Sequence, residues 1–471
     1  MAIRGMRIIG SFMLAMSLSA TCAGALLAQS FSETLAGAYN GSGLIEQYRA
    51  LLRAADEDVA KTASELKPII NWSSGFNHEF GRARQSSMSK KVNLESNTVS
   101  LGLTASLLIY DFGGTKSRLK AAEETVLATR ETLRGIEQQV LLRAVRAYMD
   151  VLRSNEFLEL RDNNIALLEG ELNAARNRYD VGAVTRTDVA LAEARLASAK
   201  SGLATAEGNL LQAIEEYQSV SGITLEELDV PDALPEISSD VEESKSVALR
   251  NHPDMLGIQH EVAAAELAVA AAQAGMFPKL NITGGLNGTE YLDDSRFSRG
   301  GRIGVELKGP IYRGGLQSAN LRQAMARRDS LRGRLHEVQK RVMQDVGNTH
   351  AILETAQASL EAIQEQVMAA NIAFNGVREE ANLGARTTLD VLNAEQELLE
   401  AEADLISAEA DVYVLAYSLL EKMGLMTARD LNLNVQTYDP AAYYELIKNA
   451  PVQNSPQGRK LDRILRAIGQ Q

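Results

Sequence analysis

The eight residues Gly182-Ala183-Val184-Thr185-Arg186-Thr187-Asp188-Val189 return 202 positions later as Gly384-Ala385-Arg386-Thr387-Thr388-Leu389-Asp390-Val391. Thr and Asp are ordinary helix starters behind a glycine, so each stretch predicts a turn between two helices. Downstream, the next helix ends at Gly222 in one copy and at Gly424 in the other, so neither copy gains or loses a residue across it. Upstream the order of events also repeats. An Ala-rich helix over 32–66 or 241–275 is stopped by Pro68 or Pro278, because proline lacks an amide donor and crowds the preceding turn. A strand pair follows, expected over 69–110 and 279–312. The pairs close with Ile109-Tyr110-Asp111-Phe112-Gly113-Gly114 and with Ile311-Tyr312-Arg313-Gly314-Gly315. A long helical stretch then leads back to the turn.

Duplication of one structural unit accounts for this order. It divides the chain into an export signal over 1–28, a first repeat over 29–222, a linker over 223–240 carrying Pro231 and Pro235, a second repeat over 241–424 and a tail over 425–471. The long helices are expected over 114–221 and 315–422. Pro440, Tyr443, Tyr444, Pro451, Asn454 and Pro456 break the periodicity of the tail, which is expected to be peripheral and partly disordered.

The helices carry a seven-residue pattern. Val189, Leu196, Leu203, Leu210 and Tyr217 recur with Ala192, Ala199, Ala206, Ala213 and Val220 three places on. In the second half Val391, Leu398, Leu405, Val412 and Leu419 stand against Ala394, Ala401, Ala408, Leu415 and Lys422. Such a repeat predicts left-handed coiled-coil packing, with the alanines letting neighbours approach closely. From Gly114 to Gly182 there is room for about 65 helical residues, which at about 1.5 Å each make a rod of about 100 Å. The same length recurs between Gly315 and Gly384. A globular enzyme has little use for four such segments, whereas a long tube can be lined with them.

The strands alternate. Val99, Leu101, Leu103, Ala105, Leu107 and Ile109 fall on one face and Thr98, Ser100, Gly102, Thr104, Ser106 and Leu108 on the other, over the roughly 9 to 11 residues a tilted strand needs to cross hydrocarbon. Ile303, Val305, Leu307 and Ile311 alternate likewise with Arg302, Gly304, Glu306 and Lys308. Those charges suit a water-filled lumen. The partner strands are expected over 69–80 and 280–291, with Trp72, Phe76, Phe80 and Tyr291 as interfacial aromatics. Four strands cannot close a barrel, and an open edge in lipid leaves amides and carbonyls unpaired. Several copies must therefore share one wall.

Composition narrows the function. With 61 Asp and Glu against 48 Lys and Arg, the formal charge of -13 repels nucleic acid. Cys22, the single cysteine, cannot close an internal disulfide. Met1, Arg4 and Arg7 precede an apolar run and then small residues, the order of an export signal, with cleavage expected after Ala25 or Ala28. Thr21 is larger than lipoprotein processing usually accepts before a cysteine, so Cys22 is expected to leave with the signal. Beyond it no stretch approaches the roughly 20 apolar residues of a membrane helix. The chain has no phosphate loop with Lys and Ser or Thr, no metal-spaced His/Cys set and no triad. His78, His252, His260, His336 and His350 are scattered. No catalytic residue, cofactor or metal is expected.

Over 32–431 the chain resembles the TolC-like outer-membrane factors. The resemblance rests on the duplicated order, the Tyr-x-x-Gly-Gly and Tyr-x-Gly-Gly junctions and the turn Gly384-x-Arg386-Thr387-x-x-Asp390-Val391-Leu392-x-Ala394. It implies a mainly α protein with a membrane β-barrel: a homotrimer in which four strands per subunit complete a 12-strand barrel and duplicated coiled coils continue it as a periplasmic α-barrel. Loops 81–96 and 293–300 would face outside the cell. Gly182, Ala183, Gly384 and Ala385 would form the helix tips that dock a periplasmic adaptor and an inner-membrane pump, either an ABC exporter or a proton-driven one. Thr187, Asp188 and Arg386 match the gate latch, where arginine and carboxylate can form paired charged hydrogen bonds. Asp390 and Asn393 match the entrance constriction. Asn393 replaces a second acidic ring, Ala381 a frequent tyrosine and Ala385 a frequent threonine, which implies a less charged entrance and a looser latch. Gly113, Gly114, Gly314, Gly315, Pro68 and Pro278 mark the passage from barrel to tunnel.

The implied protein is a passive conduit in the outer membrane of a Gram-negative cell. Type I protein secretion is the preferred role, because the extended charged tail and unlipidated signal resemble that branch. Multidrug or small-molecule efflux is the alternative. A pore-less periplasmic coiled-coil scaffold is the rival from another class, and it does not require the greasy strand face.

Overall fold

The computed structural model describes residues 30–84, 92–225, 227–231 and 234–468. The expected signal over 1–28 lies outside the described residues. The first repeat contains α1 Phe31–Gly41, α2 Gly43–Ser64, β1 Ile69–Ala83, β2 Val92–Tyr110, α3 Gly114–Asp180 and α4 Arg186–Ser221. The second contains α5 Val241–Asn251, α6 Pro253–Ala274, β3 Lys279–Tyr291, β4 Phe297–Lys308, α7 Leu316–Asn382 and α8 Thr388–Met423. Two short helices, α9 Pro440–Ile447 and α10 Pro456–Ile468, complete the chain.

The single helix expected at the start of each repeat is two helices. Ser42, between two glycines, caps α2 by accepting from the Ile45 amide at 3.3 Å. In the second repeat the break falls at His252, whose Nδ1 accepts from the Asp254 amide at 3.1 Å. Pro253 there occupies the first helical position, where its missing amide costs nothing.

The hairpins also differ from expectation. Gly81–Ala83 pair with Val92–Leu94, so much of the expected loop over 81–96 is strand. Phe297 to Gly300, expected in the second loop, begin β4. Ile311 lies beyond β4, which stops at Lys308 because Pro310 has no amide to donate to a ladder.

The repeat is more regular than the glycine pairs suggest. α3 and α7 are both 67 residues long and start behind Gly113 and Gly315, at φ 80° and 86°. One position earlier Phe112 and Gly314 share nearly the same backbone, φ 54° and 56°. Gly113 therefore corresponds to Gly315, and Gly114 to Leu316. Phe112 holds a conformation that disfavours a side chain. Its ring stacks on Phe277 at 4.7 Å and lies 4.9 Å from Tyr110, contacts that offset the strain.

The main core surrounds the middle of α3. Leu141, Ala144, Val145 and Tyr148 are fully buried there against Leu35, Ala38 and Leu52 of the opening helices and Tyr217 of α4. On α4 the alanines Ala192, Ala199, Ala206 and Ala213 are the buried stripe, while Val189, Leu196, Leu203 and Leu210 stay half-buried. Small side chains permit the close α3–α4 approach, and the larger stripe flanks it.

The expected partial disorder of 425–471 is replaced, over the described residues, by an ordered layer. Tyr443, Ile447 and Leu461 pack on Ala60 of α2. The Tyr443 hydroxyl donates to Glu57 at 2.7 Å, and Arg134 donates to the Gly424 carbonyl at 2.8 Å. The Ala428 amide donates to Glu137 at 2.7 Å. Burial of these aromatic and aliphatic groups supplies what the broken periodicity hid.

Candidate functional site

The four strands form one antiparallel sheet in the order β1-β2-β3-β4. Paired residues point to the same face, so the register sorts the side chains into rows. From the helix end toward the loops, one face shows Leu280 and Leu307, then Leu107, Ile282 and Val305, then Ile70, Ala105, Gly284 and Ile303. Next come Trp72, Leu103, Leu286 and Gly301, then Ser74, Leu101, Gly288 and Arg299, then Phe76, Val99, Glu290 and Phe297. The opposite face carries Asn71, Thr104, Gly285 and Arg302 in one row and Asn281 with Glu306 in another. Six rows set two residues apart cover ten residue steps, which at about 3.4 Å per residue and a tilt of about 40° span about 25 Å, the height of a barrel's apolar band.

At the helix end this band meets Tyr110, Phe112 and Phe277. At the loop end it meets Phe76 and Phe297, with Phe80 beyond. Of the expected interfacial aromatics, Trp72 lies within the band, and Tyr291 pairs with Thr98 on the polar face. Its ring stacks under Arg296, 4.6 Å away. β1 and β4 are free edges.

About 100 Å away along the helices lie two turns of one design. After α3 the Ala183 amide donates to the Arg178 carbonyl at 2.8 Å and Gly182, at φ 74°, donates to Tyr179 at 2.9 Å. After α7 Ala385 donates to Glu380 at 2.8 Å and Gly384, at φ 80°, to Ala381 at 3.0 Å. This pairing closes a helix where glycine tolerates the left-handed backbone. The next helices then start with reciprocal caps. Asp188 accepts from the Thr185 amide at 2.8 Å and hydroxyl at 2.7 Å, and Asp390 accepts from the Thr387 amide at 2.9 Å and hydroxyl at 2.8 Å. The Thr185 hydroxyl and then its amide hold the Asp188 carboxyl below its ordinary range, and at Asp390 the Thr387 amide acts first and the hydroxyl second.

Within one subunit Arg386 is not brought to Asp188. Its Nε donates to Glu380 at 2.8 Å, a pairing that raises its already high pKa. Thr187 is exposed. Asn393 is exposed and lies 3.5 Å from an Arg195 terminal nitrogen.

Sequence reasoning missed the polar links that tie the two helical hairpins together. Arg378 pairs with the nearly buried Glu171 at 3.1 Å. Arg178 donates to Asn382 at 2.9 Å. Asn164 donates to the buried Glu395 carboxylate, whose pKa burial pushes up. Period and spacing carry no signal for such pairs, because the partners lie about 200 residues apart.

The chain matches the Outer membrane efflux protein family over residues 38–222 and 245–424. It is 34% identical to Outer membrane efflux protein BepC of Brucella suis over 89% of this chain and 91% of that protein. It is 26% identical to Outer membrane protein TolC of Vibrio cholerae over 87% and 94% of the two chains. Among solved structures, the outer membrane protein VceC of Vibrio cholerae superposes with a TM-score of 0.74 at 17% identity, over 84% of this chain and 96% of that one.

Proposed function

The chain belongs to the outer membrane efflux protein family, and from that premise we propose that three copies form a passive efflux conduit driven by an inner-membrane pump. Membership makes it an outer-membrane transport protein with a long periplasmic helical part, and not an enzyme.

One observation carries the shared barrel, whose count of three comes from the family resemblance: a sheet with one apolar and one polar face, ending in two open edges. In hydrocarbon each unpaired amide or carbonyl is costly, so β4 of one copy must meet β1 of the next. Three copies give twelve strands. Their polar faces, with Arg302 and Glu306, line a wet lumen that the helices prolong. The Gly182–Ala183 and Gly384–Ala385 tips are the surface offered to a periplasmic adaptor. Gly113, Gly114, Gly314, Gly315, Pro68 and Pro278 serve as the bends between wall and tunnel.

Efflux replaces the preference for type I secretion. That preference leaned on an extended charged tail, and the tail packs on α2 and α3 instead. The family description and the name of the relative at 34% identity both say efflux. The pump is a proton-driven exporter or an ABC exporter joined through the adaptor.

At the entrance, Arg386 with Thr187 and Asp188 forms a latch between protomers. Glu380 engages the Nε of the guanidinium, and in this reading the terminal nitrogens are left to pair with Asp188 of a neighbouring copy. Asp390 and Asn393 narrow the same opening. Planar-bilayer recording of the purified protein tests this: a small basal conductance is expected, rising several-fold in Arg386→Ser. Unchanged conductance removes Arg386 from the latch. A water-soluble particle silent in every variant overturns the channel. Deletion that sensitises cells to small toxic compounds while secreted protein is unaffected supports efflux, and the opposite pair of results returns the role to secretion.

A further inference from the structure

Within the six apolar rows described above the sheet contains one guanidinium. Arg299 of β4 pairs with Gly288, which in turn pairs with Leu101, so all three lie on the face shared by Trp72, Leu103 and Leu286. A side chain built at Gly288 would meet the Arg299 stem at 3.9 Å, which places that stem over the glycine. Arg299 is exposed, and among the described residues it has no carboxylate partner. Its guanidinium lies 5.2 Å from the centre of the Phe297 ring. Glu290, one row nearer the loops, forms no ion pair with it.

Beside Arg299 the sheet has a shallow trough of 670 Å³, lined by Trp72, Leu101, Leu103, Leu286 and Gly288. Glycines make the trough. Leu286 lies across Gly301, where an added side chain would come within 2.8 Å of it, and Gly288 has no side chain of its own. The surface is thus apolar along its length and cationic at the end toward the loops.

We propose that this trough binds a lipid of the outer leaflet with a net-anionic phosphomonoester headgroup, its acyl chain along Trp72, Leu101 and Leu286 and its phosphate on Arg299; the assignment rests on the barrel reading above. A bare arginine on a lipid-facing wall is unfavourable unless it reaches the interface or an anion, and Arg299 stands in the row next to the loop-end aromatics. A guanidinium offers a phosphate two parallel charged hydrogen bonds. The trough supplies apolar contact that a free phosphate ion cannot use, which selects a lipid. Arg302, three residues on, faces the lumen and takes no part.

Trp72, the chain's single tryptophan, reports on the site. The full chain is reconstituted in phosphatidylcholine bilayers containing a few per cent of brominated phosphatidic acid or, in parallel, brominated phosphatidylcholine. Trp72 quenching should show about a five-fold preference for phosphatidic acid over phosphatidylcholine, the advantage of one cation near an anionic headgroup. Arg299→Gln should lower the preference to about one-fold while quenching by brominated phosphatidylcholine persists, and Arg302→Gln should keep it. Equal quenching by both lipids in the unmodified protein overturns the site, whether or not the variants assemble. A preference that survives Arg299→Gln, or is lost with Arg302→Gln, also overturns it. Absence of quenching by either lipid instead means the sheet does not face hydrocarbon, and the barrel reading falls with it.

Discussion

Helices α3 and α7 have the same length, start behind equivalent glycines and end in the same turn, yet α3 buries 20 residues and α7 only 6. The local form is duplicated and the surroundings are not. α3 runs between α2, α4, α6 and α8 with the tail strapped across it, whereas α7 packs along α5, α6 and α8 and reaches α3 through side chains near the tip. On α7 Ile352, Met368 and Ile372 remain 54%, 60% and 75% exposed. Identical neighbours in the repeat thus become a core in one half and an unfinished interface in the other. In the trimer proposed above, another copy of the chain finishes it.

The largest expected effect follows from that asymmetry. Met368→Asp combined with Ile372→Asp should convert the trimer to monomers, read as mass by light scattering in detergent. A change on a free surface would stay within about 0.5 kcal/mol and leave the mass alone. Retention of the trimer would break the comparison.

Next in size is the core itself. Leu141→Ala should cost about 3 kcal/mol in denaturant unfolding, while Met343→Ala at the matching place in α7, where the residue is half-buried, should cost under about 1 kcal/mol. Equal losses would mean that the tail and opening helices do not make α3 special.

A smaller contrast separates α2 from α6. Asp56 is fully buried and both its carboxylate oxygens lack a hydrogen-bond partner. Its counterpart Glu266 is exposed and pairs with Arg332 at 2.6 Å. Burial pushes the Asp56 carboxyl up to about 6, against the opposing pull of Arg130. An acid with a raised pKa in the folded state favours folding when protonated. That contribution is complete below pH about 4 and is lost as pH rises through about 6. Asp56→Asn should therefore match the parent at pH 4 and be more stable by about 2 kcal/mol at pH 8, seen as a higher unfolding midpoint. Glu266→Gln should cost within about 1 kcal/mol.

The smallest effects should be equal in both halves. Gly182→Ala and Gly384→Ala each place a side chain on a left-handed backbone and should cost about 1 kcal/mol, measured by thermal unfolding. A difference larger than that would show that one tip is held by contacts the other lacks.

Much of the architecture is legible in the amino-acid sequence. Pro68 and Pro278 stop their helices and Gly182 and Gly384 turn theirs, because each acts through its own backbone. The alternation from Val99 to Ile109 marks the sheet's two faces for the same reason. Other features are not legible. Phe112 reads as an ordinary aromatic, and nothing beside it announces a left-handed backbone steadied by Phe277. The break at Gly41-Ser42-Gly43 is written in the sequence as a turn signal, but the helical pattern that resumes on both sides masks it in a reading by period. At the tips, the Thr-x-x-Asp starters are visible, but the Arg386–Glu380 pair is not.

The amino-acid sequence alone determined the duplicated order of long helices and strands and the two chemistries of the sheet, since capping, proline and side-chain period act between residues a few places apart. Tertiary structure decided which of two equivalent helices became the core, how the tail was captured by Glu57 and Glu137, and which charges bridged the hairpins, as Arg378 does to Glu171. Those outcomes depend on the approach of segments hundreds of residues apart, where burial and pairing energies are set by the partner and not by the local chain.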